Sequence, residues 1–150
     1  MNKRESISYD YIRGLTDGEG SFTFSTNTKE RRKTPSFCIS MHIRDKKLLT
    51  KVRDTLGLRN RIYEYHYKGK DGYNRGPRAI LIVREFGALK NIIIPLFYKN
   101  LYGNKSDQFE DWIEKIGNDP IVPEQFKFLH QLYKSGFYEK ENKYQEASVG

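Results

Sequence analysis

Residues 11–22 constrain the fold of this 150-residue chain more than any other stretch. Ile7, Tyr11 and Leu15 have the spacing of residues on one face of a helix. From Gly20 onward, apolar and polar residues alternate, which is the pattern of a half-buried strand. The stretch therefore predicts a helix that ends in a glycine-containing turn and leads directly into a strand.

Gly14 and Gly18 are four positions apart, so they lie on the same side of the predicted helix. Each glycine costs about 1 kcal/mol of helix stability relative to alanine. Close approach of a second helix is the contact that would compensate for this cost. Glu19 lies where the helix ends, and there its carboxylate meets the negative end of the helix dipole. Because this position does not stabilise the helix, Glu19 is a candidate functional residue.

Residues 12–20 resemble the nine-residue signature of the LAGLIDADG homing endonucleases. Four positions match the pattern directly: Gly14, Leu15, Asp17 and Gly20. Gly18 replaces a small alanine, and Glu19 replaces the second acidic residue, where active members carry either aspartate or glutamate. The resemblance implies an α+β fold with the element order αββαββα, a saddle-shaped antiparallel sheet and additional C-terminal helices.

The patterns along the chain predict the same order of elements. A single domain is expected at 1–138 and a polar, frayed tail at 139–150. After the first strand, further strands are expected at 36–43, 61–67 and 78–84, with a turn at 69–77. Helices are expected at 45–56 and 86–94, the second ended or kinked at Pro95. Two more helices follow, one capped by Ser106 and one that begins at Pro123.

The charge of the chain limits its partners. Lysine and arginine number 27 against 19 acidic residues, which gives a formal net charge of +8. This charge favours nucleic acid first and an anionic membrane surface second, although a basic protein without such a partner has the same composition. No apolar run reaches the ~20 residues of a membrane span, so no membrane partner is expected.

The cysteine content and the first residues bear on the compartment. Cys38 is the only cysteine, which excludes an intrachain disulfide and a multi-cysteine zinc site. The first ten residues are polar and do not resemble a secretory signal. We therefore expect a protein that is not secreted, and the choice between an organelle (mitochondrion or chloroplast) and a prokaryotic cytoplasm stays open.

One face of the predicted sheet carries short polar and basic side chains. In the first hairpin these are Thr23, Ser25, Asn27, Lys29, Arg31, Arg32, Lys33, Ser36, Cys38 and Ser40. Hydroxyl and amide groups on a β-ribbon fit the major groove of DNA, and basic turns contact phosphates. An ordinary solvated sheet face is the alternative, but the net charge and the signature together favour DNA binding.

The second hairpin allows two interpretations. Tyr63 and Tyr65 are either DNA contacts or packed residues, because tyrosine is amphipathic. Arg78 is a candidate DNA contact on the returning strand, but the alternation that directs it toward DNA also directs Ile80 and Ile82 there.

The resemblance also implies a catalytic site. Glu19 and the backbone carbonyl of Gly18 would bind Mg²⁺ (or Mn²⁺) at the minor groove between the two cuts. Lys105 would polarise the water network of the site, with an ordinary surface lysine just outside a helix as the alternative. Asp17 is expected to have a structural role near the helix ends rather than to be a second metal ligand. Many relatives carry a glutamine on the strand at 36–43, and this chain has none there.

Only one signature segment is present, and one Glu19 per chain is too few for two strand cuts. The single-motif class therefore implies a homodimer, paired through Tyr11, Gly14, Leu15 and Gly18. Such a dimer would read a long pseudo-palindromic DNA site and leave short 3′ overhangs.

Three functions are compatible with this sequence. The first is a site-specific homing endonuclease encoded within an intron or intein. The second is a maturase that binds intron RNA and assists splicing, and the third is a DNA-binding regulator without nuclease activity. Glu19 and its flanking glycines favour the endonuclease, because binding alone needs no carboxylate that faces phosphates.

Overall fold

The computed structural model describes residues 6–68 and 74–145. Four strands form one antiparallel sheet in the order β1-β2-β4-β3: β1 (Gly20–Asn27), β2 (Arg32–His42), β3 (Ile62–Lys68) and β4 (Asn74–Val83). The helices are α1 (Tyr9–Glu19), α2 (Lys46–Thr55), α3 (Phe86–Ala88), α4 (Ile94–Phe97), α5 (Asn104–Asn118), α6 (Glu124–Lys134) and α7 (Phe137–Lys140). A 3₁₀ turn (Ile43–Asp45) precedes α2, and a π turn (Leu89–Ile93) joins α3 to α4.

This arrangement confirms the predicted α+β fold and the order αββαββα, followed by C-terminal helices. The short helix α7 is not predicted by the sequence patterns. Of the turn expected at 69–77, residues 69–73 lie outside the described residues, and β4 already begins at Asn74. None of the helices in the described ranges is long and apolar enough to cross a bilayer.

The hydrophobic core lies on one face of the sheet, around Phe22 of β1. Four aromatic rings have centroids 5.0–5.5 Å from the Phe22 ring, those of Phe37, Phe97, Phe109 and Trp112. The side-chain oxygen of Gln108 accepts a hydrogen bond from the Phe22 N–H at 2.9 Å. Trp112 Nε1 donates to the carbonyl of Thr23 at 2.7 Å. α5 therefore fixes the edge strand β1 in place.

The ends of α1 are defined by a serine and a glycine. Ser8 is the N-cap, and its hydroxyl accepts a hydrogen bond from the Tyr11 N–H at 3.0 Å, as expected for a capping serine. At the other end, a Cβ atom on Gly20 would lie 2.6 Å from Thr16 Cγ2. Gly20 is therefore what lets the chain turn directly from α1 into β1.

Arg13 anchors the middle of α1. Its side chain is buried, and its Nε and Nη2 atoms donate to the carbonyl oxygens of Leu96 at 2.9 Å and Tyr144 at 2.7 Å. The third nitrogen, Nη1, pairs with the exposed carboxylate of Asp10 at 2.9 Å. Carbonyls at the end of a helix lack intrahelical donors, so Arg13 satisfies one at the end of α4 and joins it to α1.

The structure corrects the tail expected at 139–150 for the part that it describes. Tyr144 is only 4% exposed, and the amide of Asn142 donates to the Pro95 carbonyl at 2.9 Å. Residues 139–145 thus pack against α1 and α4, because a polar sequence there supplies hydrogen bonds to helix-end carbonyls. Residues 146–150 lie outside the described residues.

The structure also differs from the helix expected to end or kink at Pro95. The helical path continues to Phe97 through the π turn Leu89–Ile93. Pro95 lies in this continuous helix just after the π turn. The Lys90 carbonyl, five residues before it, receives no hydrogen bond from the prolyl nitrogen and instead accepts one from the Tyr138 hydroxyl at 2.9 Å.

Candidate nucleic-acid interface and active site

The register of the strands brings the predicted polar side chains onto the open face of the sheet, the face opposite the core. Thr23 pairs with Ser36, Ser25 with Thr34 and Asn27 with Arg32 between β1 and β2. Cys38, Ser40 and His42 of β2 pair with Ile82, Ile80 and Arg78 of β4. Tyr63 and Tyr65 of β3 pair in turn with Ile80 and Arg78. Four strands therefore contribute to one open face.

The turn between β1 and β2 places Lys29, Arg31 and Arg32 in solvent. Asn27 holds this turn, because its side-chain oxygen accepts hydrogen bonds from the N–H groups of Lys29 and Glu30 at 3.1 and 3.3 Å. The side-chain oxygen of Asn27 therefore stabilises the turn. The amide N–H groups of the same side chain are the donors that Asn27 has available for a ligand.

Lys33 is a correction to the predicted interface. It pairs with Thr26 and lies on the core side of the sheet, because side chains alternate along a strand. Its ammonium group lies 3.0 Å from a carboxylate oxygen of Asp119. A hydrogen bond from the Ile121 N–H, followed by Lys33, lowers the pKa of Asp119. Lys33 therefore stabilises the β1–β2 hairpin through its ion pair with Asp119 on the core side of the sheet.

The prediction for Ser36 is also corrected, and the correction involves Arg84, a residue that the sequence patterns did not identify. Ser36 is on the open face by register but is only 2% exposed. Arg84, directly after β4, places Nη1 3.4 Å from Ser25 Oγ on β1. Because β2 lies between β4 and β1, with strands about 4.8 Å apart, the Arg84 side chain crosses β2 and covers Ser36.

Arg84 belongs to a polar depression of about 430 Å³ on the open face. Its other lining residues are Ser25, Thr26, Asn27, Glu30, Arg32 and Thr34. Side chains alternate between the two faces along β4, so the pattern that places Arg78 on the open face also places Arg84 there. This alternation could have identified Arg84 from the sequence.

The two tyrosines of the second hairpin are exposed rather than packed. Tyr63 and Tyr65 are 44% and 54% exposed, so both present their rings to solvent. Arg78 is half-buried, and its guanidinium donates to the carbonyl and the hydroxyl of Ser40 at 2.7 and 3.2 Å. Cys38, in the same strand as Ser40, is half-buried, and burial raises the pKa of its thiol.

The carboxylate of Glu19 is exposed at the last residue of α1. Within residues 6–68 and 74–145 it has no hydrogen-bond or ion-pair partner. Asp17, by contrast, accepts hydrogen bonds from the N–H groups of Tyr102 at 3.1 Å and Gly103 at 3.2 Å. Asp17 thus has the structural role expected of it, since it ties the end of α1 to the start of α5.

Lys105 lies in the first turn of α5, which begins at Asn104 rather than after a Ser106 cap. The expected position just outside a helix is therefore wrong. Gly103 is the N-cap, and the hydrogen bond that Asp17 accepts from it sets the start of α5 relative to α1.

The signature glycines leave one side of α1 open. A Cβ atom on Gly14 or on Gly18 would meet no atom within 4 Å. Tyr11 on the same side is 50% exposed, and Leu15 is half-buried. The contacts of α1 within the described residues therefore do not require these glycines, whose helical cost remains uncompensated there.

Residues 12–116 match the model of a family described as LAGLIDADG endonuclease. This chain belongs to the LAGLIDADG endonuclease family. A curated relative, the "Probable intron-encoded DNA endonuclease 1" of Mycosarcoma maydis, is 40% identical over 50 residues, which are 33% of this chain and 19% of the relative. The chain thus aligns with about a fifth of the length of that relative.

Solved homing endonuclease structures share the fold. LAGLIDADG homing endonuclease I-GzeII in complex with its DNA target is 26% identical, with a TM-score of 0.58, over 97% of this chain and 46% of that chain. I-SmaMI bound to an uncleaved DNA target in the presence of calcium ions is 26% identical, with a TM-score of 0.55, over 84% and 43%. The homing endonuclease I-TnaI is 22% identical, with a TM-score of 0.59, over 89% and 98%, which shows the fold alone.

The donors at the end of the LAGLIDADG helix fit a hard divalent cation. The exposed Glu19 carboxylate could supply one oxygen ligand, and the Gly18 carbonyl is among those at the helix end that lack an intrahelical donor. No group of three or more His, Cys, Asp or Glu side chains that could hold a metal occurs in the part of the chain that the structure describes. The Glu19 carboxylate and the Gly18 carbonyl are thus two oxygen donors at this end of α1.

Proposed function

We propose that this chain is a site-specific homing endonuclease that hydrolyses both strands of duplex DNA. It acts as a homodimer with Mg²⁺ or Mn²⁺ on a long pseudo-palindromic site and leaves short 3′ overhangs. The observation that carries the proposal is the position of Glu19, an exposed carboxylate one residue before a strand with a polar and basic open face. The relatives support it, since they include a probable intron-encoded DNA endonuclease and a homing endonuclease in complex with its DNA target.

DNA binding would use the open face in two ways. Thr23, Ser25 and the other short polar side chains reach base edges in the major groove, and Lys29, Arg31 and Arg32 contact phosphates from the turn. Arg84 has the planar donor geometry for a bidentate contact with guanine. Since Arg84 covers Ser36, we assign the DNA contact to Arg84 in place of Ser36.

Cleavage would take place at the end of α1. A divalent cation, when bound, neutralises charge at the phosphate and generates a nucleophilic water. Glu19 and the Gly18 carbonyl hold it as oxygen ligands. Lys105 adds a positive charge that orients ordered water, and Asp17 sets the position of its helix relative to α1.

A second copy would complete the site through the open side of α1. Tyr11, Gly14, Leu15 and Gly18 form a surface on which two helices can approach closely. Two-fold pairing there places two Glu19 carboxylates near each other, one for each strand of the DNA. This chain matches less than half of the I-GzeII chain, and about the same length again remains in that chain. Two copies of this chain would together have about the length of I-GzeII, which supports a dimer.

The test uses the purified chain and a library of duplexes with randomised, partly palindromic sites. We expect Mg²⁺-dependent ends that share a pseudo-palindromic consensus, and no ends in EDTA. Glu19→Gln should abolish cutting and leave DNA binding largely intact, because it removes the charge of a metal ligand and little else. Glu124→Gln, a matched change of an exposed acid on α6, should cut like the wild type.

Equal cutting by Glu19→Gln would refute this active site. Binding of duplexes without cutting by the wild type would instead favour the maturase or regulator alternative, and structured intron RNA would be the next ligand to test.

A further inference from the structure

Tyr102 is 93% exposed, more than any other large hydrophobic side chain in the described residues. Its backbone is nevertheless fixed. Its N–H donates to both carboxylate oxygens of Asp17, at 3.1 and 3.3 Å, and Gly103 donates to the same group at 3.2 Å. Leu101, the preceding residue, is buried. A loop with a fixed backbone therefore presents an aromatic ring that contacts almost nothing in the part of the chain that the structure describes.

The location of this ring is set by Asp17. Asp17 lies two residues before Glu19 in α1, so the loop that it holds is adjacent to the catalytic end of that helix. The same loop leads into the first turn of α5, which carries Lys105. Tyr102 therefore lies near the C-terminal end of α1, the end that carries Glu19.

The surroundings of Tyr102 indicate what the ring contacts. The residues that follow it, Gly103, Asn104 and Lys105, are small, polar or basic. A protein partner would need a cluster of apolar residues around an aromatic anchor. A flat ring next to a basic residue suits nucleic acid, whose sugars and bases offer apolar faces between charged phosphates.

We propose that Tyr102 is a DNA-contacting residue that packs its ring against deoxyribose and base edges in the minor groove, between the two phosphates to be cleaved. This inference rests on the proposed function, because short 3′ overhangs place the two cleaved phosphates across the minor groove from each other and cleavage takes place at the end of α1. Side chains packed into the minor groove unstack base steps and bend the duplex. Tyr102 would thus help to hold the central base pairs in the distorted form that brings each phosphate to Glu19.

The experiment measures binding and base stacking separately from cutting. The duplex recovered from the library is labelled with 2-aminopurine at its central positions and is bound by the Glu19→Gln protein. Tyr102→Ala and Tyr102→Phe are introduced into that background. Phe128→Ala, which shortens an exposed ring on α6, is the matched control.

We expect the parent protein, Tyr102→Phe and Phe128→Ala to raise the 2-aminopurine fluorescence and to bind with similar affinity. Tyr102→Ala should lose the fluorescence rise and bind on the order of tenfold more weakly, since contact of an aromatic ring with a base contributes about 1–3 kcal/mol. Thermal unfolding should be unchanged, because the ring has almost no contacts to lose.

Two results would overturn the inference. In the first, Tyr102→Ala binds the duplex and raises the fluorescence as its parent does. In the second, Tyr102→Ala changes the oligomeric state in sedimentation without DNA, which would place the ring in a protein contact. Failure of the wild type to bind any duplex refutes the proposed function itself, and failure only to cut leaves the Tyr102 measurement interpretable.

Discussion

Gly14 lies on the open side of α1, where a larger side chain should have opposite effects on the stability of the single chain and on dimer formation. A Cβ atom there would meet nothing within 4 Å in the single chain, and leucine favours a helix over glycine by roughly 0.5–1 kcal/mol. We therefore expect Gly14→Leu to keep or slightly raise the free energy of unfolding. In the proposed dimer, the same side chain would stand between two closely packed helices. Because the change occurs twice in a two-fold interface, the dissociation constant should rise at least about tenfold.

Sedimentation equilibrium and urea unfolding measure these two effects on the same samples. Gly87→Leu is the matched control, because Gly87 is also a helical glycine with no atom within 4 Å of its Cβ position. It should leave the dimer intact. A Gly14→Leu protein that dimerises with wild-type affinity would exclude this side of α1 as the interface.

Other single residues show what the sequence could and could not predict. The position of Glu19 followed from local rules for helices and strands. The roles of Arg13 and Arg84 depend on groups distant in sequence, the carbonyls of Leu96 and Tyr144 for one and Ser25 for the other. A basic residue on a helix is usually exposed, so no local pattern predicts the burial of Arg13.

The segment 141–145 contains a group whose ionisation should weaken the fold. Tyr144 is 4% exposed and packs edge-on against Tyr9, with ring centroids 4.9 Å apart. Burial, and to a lesser degree Tyr9, raises the pKa of Tyr144 to about 12. An unfolded tyrosine has a pKa of about 10, so the folded state retains its proton longer. The stability that depends on the neutral phenol is complete below about pH 10 and is lost as the pH rises toward 12.

Urea midpoints at pH 8, 10 and 11 measure this loss, with Tyr144→Phe as the reference. Burial also raises the pKa values of Tyr133 and Tyr138, so both proteins should become less stable in alkali. The wild type should lose more stability than Tyr144→Phe between pH 10 and 11. Parallel pH profiles would mean that the segment does not bury Tyr144 in solution.

At the level of elements, the periodic patterns predicted the order of strands and helices, and the ends of elements were harder to predict. Pro95 predicts a break, yet the helix continues past it after a π turn, and the Tyr138 hydroxyl donates to the Lys90 carbonyl that the proline leaves without a donor. The tail at 139–150 is polar, and polar residues are normally solvated. The amide of Asn142 instead donates a hydrogen bond to the Pro95 carbonyl. That carbonyl is in position to accept it only once α4 has formed.

The net charge of +8 is distributed over the whole molecule, and the fold determines which charges can meet DNA. Arg32 and Lys33 are neighbours in sequence but lie on opposite faces of the sheet. Arg32 is on the open face, and Lys33 pairs with Asp119 on the core side. Each phosphate contact releases bound counterions, so the logarithm of the binding constant falls with the logarithm of the salt concentration, by a slope of about 0.9 per contact.

We expect Arg32→Ala to reduce the magnitude of this slope by about one, because it removes one phosphate contact. Arg32 also pairs with a carboxylate, that of Glu30 at 3.2 Å, but both side chains are exposed, so a phosphate can replace Glu30. Lys33→Ala removes an equal charge and should leave the slope nearly unchanged, because the Lys33 ammonium group lies on the core side of the sheet, where it pairs with Asp119. Fluorescence anisotropy of a labelled duplex between 50 and 300 mM KCl, an interval of about sixfold in salt, measures the slopes. Equal slopes for the two variants would mean that DNA binding depends on the net charge alone and not on the position of each charge. A smaller slope for Arg32→Ala only would assign binding to the open face, as the register of β1 and β2 requires.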